Sequence, residues 1–292
     1  MPIYQRVRNF LSLVKFSHTI FALPFALLGF FLGVLDSGGL DLWILALVVA
    51  CMVFARSAAM AFNRYRDRDI DGLNPRTAVR EIPAGVISSR AAVGFVVFNC
   101  VAFIACTYFL NPLCFVLSPV ALLVILGYTY TKRFTYLCHF VLGLGLALAP
   151  VGAYLAVVGS FAVLPILYGA IVLLWVAGFD IIYALQDEEF DREQELYSVP
   201  VRLGTDRALW LGRFLHIGCA LCLLAAIYFQ RQLYPQVNLL TYVAGGVFLA
   251  ALAYQHSIVK ADDLSRVNLA FFTTNGIASV AFGAFSILDF YV

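Results

Sequence analysis

The chain has 292 residues, 63% of them hydrophobic and 12% charged, with a net charge of +2 and a mean hydropathy of +0.91. Soluble domains carry about 25% charged residues and about 45–50% apolar ones, so 19 Lys and Arg with 17 Asp and Glu cannot coat a soluble enzyme of this size. The same balance excludes a disordered chain and a nucleic-acid binder, because the basic residues sit in short loops between apolar runs.

A helix needs about 20 apolar residues to cross about 30 Å of hydrocarbon. Nine stretches meet that length, at about 17–36, 42–62, 91–110, 113–131, 138–158, 164–185, 209–229, 237–257 and 267–290. They predict an all-α integral membrane protein with residues 1–292 as a single membrane domain. The first stretch lacks a small-x-small cleavage site and eight more follow, so it reads as a helix and not as a signal peptide. Of the Lys and Arg residues, only Arg231 falls in a loop on the opposite side, and Arg56 lies inside the second span. By the positive-inside rule the N-terminus and the loops at 63–90 and 186–208 are cytoplasmic. Those two loops are four spans apart, which predicts two four-helix halves plus a ninth helix. Cys219 and Cys222 form a CxxC inside an apolar run, where packing is the reading. Gly143, Gly145, Pro150 and Gly152 in the fifth span read as close helix packing.

The first loop begins Asn63-Arg64-Tyr65-Arg66-Asp67-Arg68-Asp69-Ile70-Asp71 and continues to Asn74-Pro75-Arg76-Thr77. Asn63, Asp67 and Asp71 recur every fourth residue, so they share one helix face, while Asp69 points away toward a neighbouring arginine. Pro75 ends the helix. The second loop carries Asp187 and Asp191 at the same spacing, with Glu188 pointing elsewhere. Two oxygen-rich faces opening at one membrane surface suit Mg²⁺, which is held by a few carboxylates together with substrate phosphates. Deeper in the bilayer, Arg56 precedes Asn63 by seven residues and Asp180 precedes Asp187 by seven, so each lies on its motif's face two turns down. Charges there cost at least about 2.5–3.5 kcal/mol on insertion scales. Two readings stand: a structural Arg56–Asp180 pair, or a polar pocket in which Arg56 binds a carboxylate and Asp180 accepts a phenol hydrogen bond. His139, His216 and His256 lack ligand spacing and receive no role; His18, at a helix start, is a candidate substrate contact at the pocket rim.

These motifs, with Tyr128-Thr129-Tyr130-Thr131-Lys132-Arg133, resemble the UbiA family of intramembrane aromatic prenyltransferases along essentially the whole chain. The resemblance implies helices surrounding a central cavity in a bacterial-type inner membrane. It implies that Asn63, Asp67, Asp71, Asp187 and Asp191 hold Mg²⁺ and diphosphate, with Tyr128, Lys132 and Arg133 near the prenyl diphosphate. Arg56 and Asp180 fall where the family orients its aromatic acceptor. The expected reaction is Mg-dependent transfer of a polyprenyl group to a 4-hydroxybenzoate-type acid in quinone biosynthesis, with no obligate protein partner. The stretch Lys15-Phe16-Ser17-His18 and the element Arg80-Glu81-Ile82-Pro83-Ala84-Gly85 look closer to the branch that prenylates 1,4-dihydroxy-6-naphthoate in a menaquinone route. The rival class is a transporter, which would distribute its charges along a path through the membrane.

Overall fold

A computed structural model of the protein describes residues 3–14 and 21–292. The helices are α1 (Ile3–Leu13), α2 (Leu23–Ser37), α3 (Leu42–Arg66), α4 (Arg68–Leu73), α5 (Ser89–Leu110), α6 (Pro112–Thr131), α7 (Cys138–Val158), α8 (Val163–Ala184), α9 (Glu188–Glu193), α10 (Val199–Leu203), α11 (Thr205–Leu233), α12 (Leu239–Ile258) and α13 (Asn275–Leu288). A 3₁₀ turn at Leu185–Asp187 joins α8 to α9, and a π-helical turn at Leu269–Thr274 leads into α13. Among the described residues, eight helices are long and apolar enough to cross a membrane, and α2 is a shorter apolar helix of 15 residues. Among its described residues the protein is an all-helical integral membrane protein; eight spans lie within a few residues of those expected, whereas α2 begins at Leu23 and residues 17–20 of the first expected span lie outside the described residues.

Helix ends follow local chemistry. Asp41 caps α3 by accepting Trp43 N–H at 2.7 Å, and Asn111 caps α6 through Cys114 N–H at 2.9 Å, each satisfying a donor the helix cannot. Asn111 Nδ2 also donates to Leu155 O at 2.8 Å, tying α6 to the end of α7. The sequence reading did not foresee α1. It is short and amphipathic, with Leu13 buried against Ala61, Ile82 and Ile87 and Phe10 stacked on Phe95 at 4.6 Å, while Tyr4 and Leu11 stay exposed.

The spans close on themselves. α3 packs on α5, α5 on α6, α6 on α7, and α7 on α8; α8 then packs on α11, α12 on α13, and α13 returns to α2. Around α8 the core is solid: Trp175, Tyr168, Phe25, Phe248 and Phe282 are fully buried. Trp175 Nε1 donates to Asn275 Oδ1 at 2.9 Å, so the indole is buried without a lost hydrogen bond. On another side a cavity of about 370 Å³ lies between α3, α5, α6 and α7.

Without a hydrophobic force between helices in lipid, small residues decide how closely backbones approach. A Cβ on Gly143 would sit 2.6 Å from Leu173 O, and one on Gly29 would collide with the Pro150 carbonyl. Gly143 and Pro150 thus mark the close packing expected of α7. Gly152 does not: a Cβ there meets nothing within 4 Å, because the residue lines the cavity. Gly143→Ala should therefore destabilise the protein by about 1–3 kcal/mol, whereas Gly152→Ala should be neutral or slightly stabilising. Thermal melting of the two variants in detergent checks this, and equal melting temperatures would contradict it.

Candidate active site

The first motif begins where α3 leaves the apolar layer. The helix breaks at Asp67 (φ −91°, ψ 5°), yet Asp67 N–H donates to Asn63 O at 2.9 Å and Asp71 N–H to Asp67 O at 2.7 Å. The i, i+4 ladder so continues across the break and keeps Asn63, Asp67 and Asp71 on one face. Asn63 Nδ2 also donates to Asp67 Oδ2 at 2.9 Å. Asn74 then turns extended before Pro75, and its Oδ1 accepts Arg76 N–H at 2.9 Å. Thr77 Oγ1 closes this turn on Asp71 O at 3.0 Å. The turn aims Arg76 at the second motif.

Cations neutralise the carboxylates. Asp67, 1% exposed, pairs with Lys132 at 2.8 Å and Arg133 at 3.3 Å, and Asp71 pairs with Arg80 at 2.6 Å. Arg76 grips Asp187 as a fork, Nε to Oδ1 at 3.0 Å and an Nη to Oδ2, while Asn74 Nδ2 reaches Oδ1 at 3.2 Å. Burial disfavours the charge on Arg76, but the hydrogen bonds and charge of Asp187 outweigh it and raise its pKa. Asp191 lies within electrostatic reach of Asp187 and Lys132. Asp69 faces away, as expected, to Arg133 at 3.1 Å and Arg66 at 3.8 Å. Burial raises its pKa, and the Arg133 hydrogen bond and charge reverse that to a net lowering. Glu188 also points elsewhere, to Arg192 and Thr205.

Among the described residues, no three Asp, Glu, His or Cys side chains meet as a ready-made metal cage. Asn63, Asp67, Asp71, Asp187 and Asp191 instead form two oxygen-rich groups bridged by the Arg76 fork. Asp71 Oδ2 is buried without a partner, an open acceptor in a donor set of oxygens, and such a set fits Mg²⁺.

Below these groups lies the apolar cavity, with Arg56 and Tyr128 in its wall. Tyr128 lies within electrostatic reach of Arg56, Arg64, Asp67 and Asp180. The Arg56–Asp180 pair is not formed. Arg56 Nε is buried with no partner, and Asp180 Oδ2 is bonded to His139 Nδ1 at 2.7 Å. Asp180 is not among the residues lining the cavity, and His18 lies outside the described residues. The sequence reading missed four site residues. Arg76 and Arg80 neutralise motif carboxylates, and the Asn-Pro-Arg-Thr turn was a signal for the first. Arg64 is buried with an unpartnered Nε. His139 carried no signal at all.

Residues 22–277 match the profile of the UbiA prenyltransferase family. The chain belongs to the UbiA prenyltransferase family. It is 30% identical over 257 residues to a 4-hydroxybenzoate octaprenyltransferase of Aliivibrio salmonicida, covering 86% of this chain and 87% of the relative. A 4-hydroxybenzoate octaprenyltransferase of Tolumonas auensis is 32% identical over 250 residues, 85% of each chain. Among solved structures, the apo UbiA homologue of Aeropyrum pernix K1 superposes with a TM-score of 0.80 at 33% identity, over 93% of this chain and 98% of that one. The Archaeoglobus fulgidus homologue bound to DMAPP and Mg²⁺ has a TM-score of 0.75 at 21% identity, over 97% and 99% of the two chains, and shares the fold. Family membership thus accounts for the helix order and for an enzyme, a prenyltransferase, built into the membrane.

The Arg76 fork has a consequence for the metal-free protein. Arg76→Ala should loosen the second motif loop, so hydrogen exchange over residues 186–198 should quicken while the spans stay protected. Unchanged exchange there would mean that the fork does not hold the loop.

Proposed function

We propose that residues 1–292 act as one membrane domain that transfers a polyprenyl group from a polyprenyl diphosphate to a ring carbon of a small phenolic acid. The acceptor is of the 4-hydroxybenzoate type, the cofactor is Mg²⁺, and the motif loops face the cytoplasm from a bacterial-type inner membrane. One observation carries the reading: Arg56, with a buried, unpartnered Nε, in the wall of an apolar cavity beneath two carboxylate groups. A guanidinium without a counter-ion at membrane depth is costly, and the carboxylate of an aromatic acid is the planar anion that matches its fork. The 4-hydroxybenzoate octaprenyltransferases among the relatives support the acceptor class, and the Archaeoglobus fulgidus homologue with DMAPP and Mg²⁺ supports the donor class.

Asn63, Asp67, Asp71, Asp187 and Asp191 would hold the metal and, through it, the diphosphate. Bound there, Mg²⁺ neutralises charge on the leaving diphosphate. Lys132, Arg133, Arg76 and Arg80 exchange carboxylate oxygens for phosphate oxygens when the donor arrives, so none of these four cations is left unpaired in either state. The apolar walls take the prenyl tail and keep water from the allylic cation formed as the C–O bond breaks. The ring carbon ortho to the phenol oxygen attacks that cation, a C–C bond forms, and loss of a proton restores the aromatic ring. Asp180 accepts the phenol hydrogen bond and raises ring electron density; Tyr128 lies within electrostatic reach of both it and Arg56.

Purified protein given geranyl diphosphate, Mg²⁺ and either 4-hydroxybenzoate or 1,4-dihydroxy-6-naphthoate tests the proposal by mass spectrometry. The expected product is geranylated 4-hydroxybenzoate with release of diphosphate. Product from the naphthoate alone would move the acceptor to the menaquinone branch, and no diphosphate release with any acceptor would favour a transporter. Asp71→Ala or Asp187→Ala should lower kcat at least about 100-fold. Lys132→Ala should raise the KM for geranyl diphosphate, an effect that shrinks as salt rises. Arg56→Ala should raise the acceptor KM by about 10- to 100-fold and leave the diphosphate KM intact. A change confined to the diphosphate KM would remove Arg56 from the acceptor pocket.

A further inference from the structure

His139 lies at the start of α7 and is 3% exposed. Its two ring nitrogens have different partners. Val199 N–H, the first free donor of α10, points at Nε2 from 3.3 Å, so Nε2 bears the lone pair. The proton is then on Nδ1 and is donated to Asp180 Oδ2 at 2.7 Å. The imidazole is thereby neutral, and it serves an ionised carboxylate without cancelling its charge, as an arginine would.

Asp180 keeps one oxygen free. Its Oδ1 has no hydrogen-bond partner among the described residues, and its side chain is 23% exposed. With Oδ2 taken by His139, the carboxylate is fixed in one orientation, with Oδ1 as the remaining acceptor. The other end of the imidazole rests on a segment joined to both halves of the diphosphate site. Leu196 N–H donates to Asp191 O at 2.8 Å, and Tyr197 N–H donates to Lys132 O at 2.7 Å. His139 is thus the side chain through which the acceptor carboxylate meets the second motif loop.

We propose that His139 is a positioning residue for prenyl transfer: it orients Asp180 toward the phenol of the acceptor and keeps it a net anion beside the forming allylic cation. This rests on the acceptor role given to Asp180 above. An outer partner that orients a working side chain commonly matters 10- to 100-fold. Two substitutions separate this role from plain loop anchoring. In His139→Asn the amide nitrogen takes the place of Nδ1 and still donates to Asp180, but nothing accepts Val199 N–H. In His139→Gln the amide oxygen reaches the Nε2 position and accepts Val199 N–H, but the donor to Asp180 is lost.

The experiment measures geranylation of 4-hydroxybenzoate by the full-length protein, with melting temperatures recorded for each variant. His139→Asn should keep kcat within about threefold of the unmodified protein, and His139→Gln should lower kcat about 10- to 100-fold. Both should leave the KM for geranyl diphosphate unchanged. Full kcat in His139→Gln overturns the inference, as does a loss in His139→Asn equal to that in His139→Gln, or a loss that falls on the diphosphate KM. If the unmodified protein geranylates no phenolic acid, the proposed function fails first, and that outcome is distinct from equal rates in the two variants.

Discussion

Arg76 reaches from the first motif loop to grip Asp187, 111 residues later, with two nitrogens of one guanidinium. The arrangement of the whole site depends on that crossing. Each motif leaves the membrane on its own helix, α3 or α8, and nothing in the packing of those helices alone brings the two loops together. A fork between a planar cation and a carboxylate fixes both distance and orientation. At the edge of a low-dielectric slab its charges are screened less than they would be on a soluble surface. The same logic governs Asp67 and Asp71, each of which has its own cation. Carboxylates gathered for a hard cation would otherwise repel one another, so the protein balances them with groups that phosphate oxygens can later claim.

Beneath this charged layer two regions divide the labour. Around α8 aromatic side chains pack to full burial, and the indole among them keeps its hydrogen bond, from Trp175 to Asn275. Between α3, α5, α6 and α7 that packing gives way to a cavity. A solid core on one side holds the α8 register, hence the depth of Asp180 and the exit point of Asp187. A hollow on the other side gives an apolar chain somewhere to lie. The unpartnered Arg56 belongs to the hollow side, where a ligand can complete it.

Much of this was legible in the sequence, and the divide between what was and was not is physical. Apolar runs and i, i+4 carboxylates are local patterns, so the spans and the shared face of Asn63, Asp67 and Asp71 could be read directly. The helix α1 escaped because 11 residues with one apolar face fall short of a membrane crossing. Long-range partners escaped for a different reason: no periodicity links His139 to Asp180 or Arg76 to Asp187. Opposite charges at equal depth made an Arg56–Asp180 pair reasonable, but a buried histidine on the neighbouring helix took the carboxylate first. Gly152 looked like the other glycines of α7, and only the position of the cavity separates it from Gly143.

If carboxylates and cations form one site that metal and diphosphate complete together, the two ligands must strengthen each other's binding by the same factor. Calorimetric titration of geranyl S-thiolodiphosphate, an unreactive donor, into the purified protein measures that factor. The account predicts an affinity at least about tenfold higher with saturating Mg²⁺ than with EDTA, and loss of the difference in Asp71→Asn. Equal affinity with and without Mg²⁺ would contradict it.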